Sequence, residues 1–200
     1  MFGLSGFKPT LDDLKFDTDG FSPIQVSNPR VIRAWRTPDG DGVGIYLFNV
    51  PPDLPVVEKN KDYATHYSKA LGSSGGKVVE CSRISFGAVG AVSVIFKVPQ
   101  QPAGMTFVGS ITLPFRDFSF VVKAQCEDRD ISGLRETVLL DRHLGAGGDL
   151  NTFSADDRAF DAEFPQSPLS RVRRVLDRVQ RTLRLDRKLA ESPGWNFPKN

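Results

Sequence analysis

The sequence predicts an α+β fold: a mostly antiparallel sheet flanked by helices, in effect an α/β/α sandwich, with a C-terminal helical appendage. Three observations predict it. Residues 78–126 hold four consecutive β-rich runs joined by short connections, which makes antiparallel neighbours of them. Helical periodicity brackets these runs at 58–71 and again at 132–143. A loose Gly/Asp-rich stretch then leads into one amphipathic helix at 167–189 loaded with arginine.

Residues 1–29 are polar and broken by Pro9, Gly20, Pro23 and Pro29. They predict an irregular arm with a short strand at 21–26. Residues 31–35 and 43–48 are β-rich and flank Thr37-Pro38-Asp39-Gly40-Asp41-Gly42, a turn signal that predicts a hairpin. Pro51, Pro52 and Pro55 end its second strand. In the helix at 58–71, Tyr63, Tyr67 and Ala70 or Leu71 share one face, and 72–76, rich in Gly and Ser, stops it. The four strands expected next are 78–85, 91–98, 105–113 and 118–126. The last alternates: Phe118, Phe120, Val122, Ala124 and Cys126 on one face, Ser119, Lys123, Gln125 and Glu127 on the other. Val121 interrupts the polar face, so something is expected to cover part of it as well. The run 91–98 is apolar on both faces and reads as a central strand.

For the helix at 132–143, Ser132 is the expected N-cap, and Leu134, Val138 and Leu139 the expected buried stripe. After a Gly-rich linker at 144–150, Ser154-Ala155-Asp156-Asp157 should open a short helix carrying Phe160 and Phe164. Ser167-Pro168 opens the last helix as N-cap and N1. On this reading the chain divides into an arm at 1–29 and a sandwich domain at 30–144. A linker with a short helix follows at 145–166, and the basic helix with its tail, packed on the domain, at 167–200.

This order of elements over residues 21–143 resembles the α/β/α sandwich of the PsbP-like superfamily. That superfamily includes photosystem extrinsic subunits, Ran-binding nuclear-import factors and bacterial effector chaperones. The resemblance implies a protein-binding scaffold of a kind that usually lacks catalysis. The helical tail from about 150 has no counterpart in that pattern.

Composition bounds the function classes. At 40% hydrophobic residues the chain can build a core, and 15 Phe against 3 Tyr and 2 Trp favours buried aromatic packing. The net charge of +2 is too small to imply a polyanion partner for the whole chain. It is unevenly spread: from Ser167 to Asn200, nine basic residues face three acidic ones, +6, which leaves −4 for the rest. Cys81 and Cys126 are expected as buried, reduced thiols. No run of about 18 apolar residues suggests a membrane span, and the first residues lack the pattern of a secretion signal. A soluble, cytoplasmic protein is the expectation.

Candidate chemistry is thin. In the Gly-rich loop at 72–77, Leu71 stands where a phosphate-binding loop needs its first Gly, and Val78 follows Lys77. His66 or His143 could serve a cysteine nucleophile only if the fold joined them to Cys81 or Cys126. The pairs Asp17/Asp19, Asp39/Asp41, Asp128/Asp130 and Asp156/Asp157 all lie at turns, where Asp stabilises turn geometry. A hydrolase site built from them would be invisible in sequence. No cofactor and no metal site is expected, and Trp35 is expected in the core.

The basic helix is the strongest signal. Leu169, Val172, Leu176, Val179 and Leu183 form a two-heptad apolar seam. Arg171, Arg174, Arg178 and Arg181 repeat at the same spacing, expected on the opposite side, with Arg173 and Arg184 widening that face. Asp177 is placed to pair with Arg173 or Arg181. These four arginines are the candidate partner-binding residues. The plain alternative is that the seam packs on the body and the arginines form a solvated face against its acidic surface. As a binding surface, a protein partner or self-association fits best, and nucleic acid or an anionic membrane less well, because the helix carries no aromatic side chain. The expected function is a non-catalytic protein-interaction module: an adaptor, chaperone or accessory factor.

Overall fold

A computed structural model of the chain describes residues 7–55, 60–129 and 133–195. Its centre is a seven-stranded, wholly antiparallel sheet. The strands are β2 (Ser22–Ile24), β3 (Ile32–Arg36), β4 (Gly42–Phe48), β5 (Lys77–Phe86), β6 (Val89–Pro99), β7 (Met105–Pro114) and β8 (Ser119–Glu127). Their spatial order is β2-β3-β4-β8-β7-β6-β5. The four long strands pair with their sequence neighbours, as expected of short connections. The β3–β4 hairpin docks beside β8, at the far side of the sheet from β5.

Register fixes what each face carries, because paired residues point the same way. One row crosses all seven strands as Ile24, Ala34, Gly44, Lys123, Ser110, Val94 and Cys81. The adjacent row on the opposite face reads Trp35, Val43, Ala124, Gly109, Ile95 and Glu80. A bulge between Val78 and Glu80 resets the side-chain parity of β5. It aims Glu80 at the second face and Cys81 at the first.

Three helices cover these faces unequally. Helix α1 (Asn60–Leu71) packs on β5, and its Tyr63 and Tyr67 form a small cluster with Leu54, Cys81, Val92 and Trp195. The other face holds the main core. There α3 (Pro168–Thr182) lies across β7 and β8, while α2 (Leu134–Gly145) buries Leu139 outside that core. The whole expected seam of α3, Leu169 to Leu183, is buried among Val43, Ile45, Phe107, Phe120 and Val122. Close approach depends on Gly109: a Cβ there would lie 2.7 Å from Leu176 Cδ1 and 2.8 Å from Val172 Cγ2.

Several local expectations need amendment. Ser132 and Asp130 lie outside the described residues. The stripe of α2 is only partly buried: Leu139 is covered, but Leu134 is 48% exposed, and Arg135 occupies the inward position on the first turn. No helix carries Phe160 and Phe164; a single 3-10 turn, Arg158–Phe160, stands there. The carbonyls of Ala155, Asp156 and Asp157 turn inward to accept hydrogen bonds from buried arginines, and a helix would have used them internally. The N-terminal stretch is more ordered than an irregular arm. A 3-10 turn at Leu11–Asp13 leads to β1 (Leu14–Lys15), which pairs antiparallel with β9 (Arg184–Leu185), just ahead of α4 (Arg187–Ala190). Leu11, Leu14 and Phe16 enter the main core. Trp35 is half-buried at the margin of that core, edge-on to Phe16 at 5.5 Å.

Candidate functional site

Helix α3 begins as its sequence dictates. Ser167 Oγ accepts from the Ser170 N–H at 3.3 Å, and Pro168 occupies the first turn, where no N–H is needed. Its arginines do not form one open face. Arg171 is buried beside the seam, its Nε 2.9 Å from Asp41 Oδ2 and its Nη2 donating to the Glu127 carbonyl. Arg174 donates to Asp39 Oδ2 at 2.9 Å and to the Pro165 carbonyl at 3.0 Å. Arg178 donates to Asp17 Oδ2 at 2.9 Å and to the Asp19 carbonyl, with its guanidinium over the Phe21 ring at 4.7 Å. Arg181 is exposed, and no side-chain hydrogen bond or ion pair reaches it among the described residues. Asp177 pairs with Arg158, at 2.9 Å, and not with Arg173 or Arg181.

The turn carboxylates and the helix arginines are therefore each other's partners. Asp41 is 1% exposed and serves two guanidiniums: Arg171, and Arg129 at 3.1 Å. Hydrogen bonds from the Asp19 backbone N–H and from Arg178 hold the Asp17 carboxyl below the usual carboxylate range.

A second set of buried charges locks the linker. Arg135 donates to the carbonyls of Ala155 and Asp157, to Asp161 Oδ1 at 2.8 Å and to Ser170 Oγ at 2.9 Å. Arg173 donates to the same Asp161 oxygen at 2.7 Å and to Glu80 Oε1 at 2.7 Å. Both side chains are almost fully buried, at 1% and 2% exposure. A buried guanidinium needs its donors satisfied, and the segment 154–161 wraps around the pair to do so. The sequence contained a faint signal for this: Arg135 and Arg173 stand on the apolar sides of their helices.

The thiols and imidazoles do not assemble a nucleophile. Cys81 and Cys126 point to opposite faces of the sheet. Burial pushes the Cys81 thiol up to about 11, and burial, reinforced by nearby Asp41, pushes the Cys126 thiol far higher. Both are neutral at physiological pH. His143 is hydrogen-bonded to the Asp149 carbonyl, and His66 lies edge-on to Tyr67. Among the described residues, no three His, Cys, Asp or Glu side chains are grouped to hold a metal ion. No helix among them is long and apolar enough to cross a membrane.

Two of the concavities bear on function. A cleft of about 600 Å³ at the end of β6 and β7 has an apolar floor of Met105, Phe107, Phe164 and Pro168. The cations lining it, Lys97, Arg129, Arg135 and Arg171, are already held by the chain's own carboxylates. The other is a trough of about 530 Å³ on the sheet face that carries α1. Helix α1 sits over β5, so the β2-β3-β4-β8 half of that face lies open. Gly42, Gly44 and Ala34 form the floor, Ile24 and Tyr46 the sides, and Lys123 and Gln125 the β8 wall. Ile24 and Phe48 are exposed beside it, and Tyr46 stacks on Phe48 at 6.4 Å. No hydrogen bond or ion pair reaches the side chains of Arg36 or Lys123 among the described residues. The expected cover near Val121 reaches only as far as β6 and β7, where Tyr67 packs with Val92 and lies near Thr112.

No protein-family model matches the chain, and no curated protein matches it. Among solved structures, the chain is similar to the Ran-binding protein Mog1p of Saccharomyces cerevisiae, with 10% identity and a TM-score of 0.47 over 88% of this chain and 93% of that one. It is also similar to the cyanobacterial PsbP, CyanoP, of Synechocystis sp. PCC 6803, with 11% identity and a TM-score of 0.40 over 73% of this chain and 95% of that one. At such identities the likeness is one of fold, an antiparallel sheet flanked by helices, as the order of elements in the sequence suggested.

Proposed function

We propose that the chain is a non-catalytic protein-interaction module that docks its partner on the open half of the sheet. One observation carries this reading. The row Ile24, Ala34, Gly44, Lys123, Ser110, Val94 and Cys81 crosses seven strands, and among the described residues helix α1 covers its β5 and β6 end and reaches β7, while the β2-β3-β4-β8 part lies bare. The bare part presents Tyr46, Phe48 and Ile24 beside Arg36 and Lys123, two cations without partners among the described residues; exposed apolar and aromatic side chains and arginine are what interfaces are enriched in. Nucleic-acid binding through Arg171, Arg174, Arg178 and Arg181 draws less support. The first three would have to give up Asp41, Asp39 and Asp17. The test is a photoreactive benzoylphenylalanine placed at Gln125 or Ile24 in cells of the native host, with the same group at Arg181 as control. Adducts with one defined protein at Gln125 and Ile24, but not at Arg181, are expected. An absence of adducts from both trough positions would refute the reading.

A further inference from the structure

We infer that the occupant of the trough is an acidic amphipathic helix of a partner protein; this rests on the docking reading above. Shape favours a helix. The same face already takes one helix, α1, over its β5 half, and the open half offers a smooth floor where Gly42, Gly44 and Ala34 replace larger side chains. The trough runs along β4, whose seven residues extend about 20 Å at roughly 3.3 Å per residue, the length of about four helical turns. Strand addition at the β2 edge is disfavoured, because β2 is only three residues long and Pro23 is its middle residue.

Charge favours an acidic occupant. Arg36 and Lys123 point from the trough without an ion-pair partner among the described residues. At the Gly40 end, Arg129 shares Asp41, its one carboxylate among the described residues, with Arg171, which leaves a positive excess there too. Glu127 is the carboxylate in the lining, and it accepts a hydrogen bond from Gln125. An acidic helix would meet this excess with its carboxylates and lay its apolar side on Tyr46, Phe48 and Ile24, whereas a basic one would be repelled.

The probes are two synthetic helical peptides with the same Leu/Ala face, one with Glu and one with Lys on its polar side. Each is titrated into the isotope-labelled full chain and followed by amide NMR and fluorescence anisotropy. The Glu peptide should move amides of β3, β4 and β8 and bind on the order of tenfold more tightly than the Lys peptide, as two or three exposed ion pairs allow. Arg36→Glu with Lys123→Glu, shown by its melting curve to be folded, should reverse that preference. Equal binding of both peptides, or an unchanged preference in the variant, overturns the acidic occupant. Adducts at Gln125 in the cross-linking experiment would then still sustain the docking surface. Binding of the chain to phosphatidylserine vesicles that is lost in the variant, without binding of the Glu peptide, would assign the face to a membrane surface and also overturn the proposal. Absence of both peptide binding and adducts would remove the inference and the docking reading together.

Discussion

Replacing Asp41 with Asn tests whether the carboxylates of the hairpin turn hold helix α3 down. The substitution keeps shape and removes one charge at a site that is 1% exposed. In the native chain, Asp41 Oδ2 lies 2.9 Å from Arg171 Nε, and Oδ1 lies 3.2 Å from Arg171 Nη2 and 3.1 Å from Arg129 Nη2. Arg129 is 38% exposed and can turn to water, but Arg171, at 6%, cannot. Asn has one acceptor oxygen and would aim an N–H₂ group at a guanidinium, which is itself only a donor. Arg171 would keep the Gln166 and Glu127 carbonyls but lose its counter-charge. Stranding a buried charge in this way costs about 3–5 kcal/mol. At about 2–4 °C per kcal/mol, that is a fall in melting temperature of roughly 6–20 °C. Urea unfolding of D41N, R171M and the double variant closes the cycle. The double variant should be more stable than the sum of the single losses predicts, because removing both partners leaves no stranded charge. A D41N loss under about 1 kcal/mol, or strictly additive losses, would show that Arg171 does not depend on Asp41.

Three further outcomes follow from the same packing. Gly109→Ala places a Cβ against Leu176 and Val172 and should cost about 1–3 kcal/mol in urea unfolding, with partial relief when Val172→Ala is added; a neutral G109A would mean that α3 lifts freely. Arg173→Ala should cost about 3–5 kcal/mol by abandoning Glu80 and Asp161, whereas Arg181→Ala should stay within about 0.5 kcal/mol; equal effects would refute the division of the arginines into anchored and free. Asp17 is held below the usual carboxylate range by the Asp19 N–H and by Arg178, so its stabilisation is complete above that range and fades as pH falls through the lowered value. Asp17→Asn should therefore be less stable than the native chain at neutral pH and converge with it in acid, and stability curves that stay parallel down to acid unfolding would contradict that linkage.

What could be read from sequence was what local chemistry decides. The alternation of β8 placed Phe120, Val122, Ala124 and Cys126 on the buried face, and the Pro-Asp-Gly signal set the hairpin turn. Ser167-Pro168 marked the start of α3, and its seam named the residues that pack on the sheet. Pairing across long separations was not readable. Arg171 meets a carboxylate 130 residues away and Arg178 one 161 residues away, and no spacing rule connects them. The β5 bulge was also hidden, and without it Glu80 would face away from Arg173. The open trough became visible only through the register, which lines up residues from seven strands. Sequence pointed to the arginines as the surface for a partner, because helical spacing shows which residues share a side but not what lies opposite.

The junction of the two ends of the fold has a kinetic meaning. β1 pairs with β9, and the Asp17 N–H donates to Thr182 Oγ1 across 165 residues. Closing contacts this distant in sequence carries a loop-entropy cost, which predicts that they form late in folding, with φ-values near zero at Leu14 and Leu185. Interactions of that kind leave the folding rate nearly unchanged and slow unfolding. The arginine–aspartate clasp of α3 would then act as a latch on time: less a contributor to how fast the chain finds its fold than to how long it stays there.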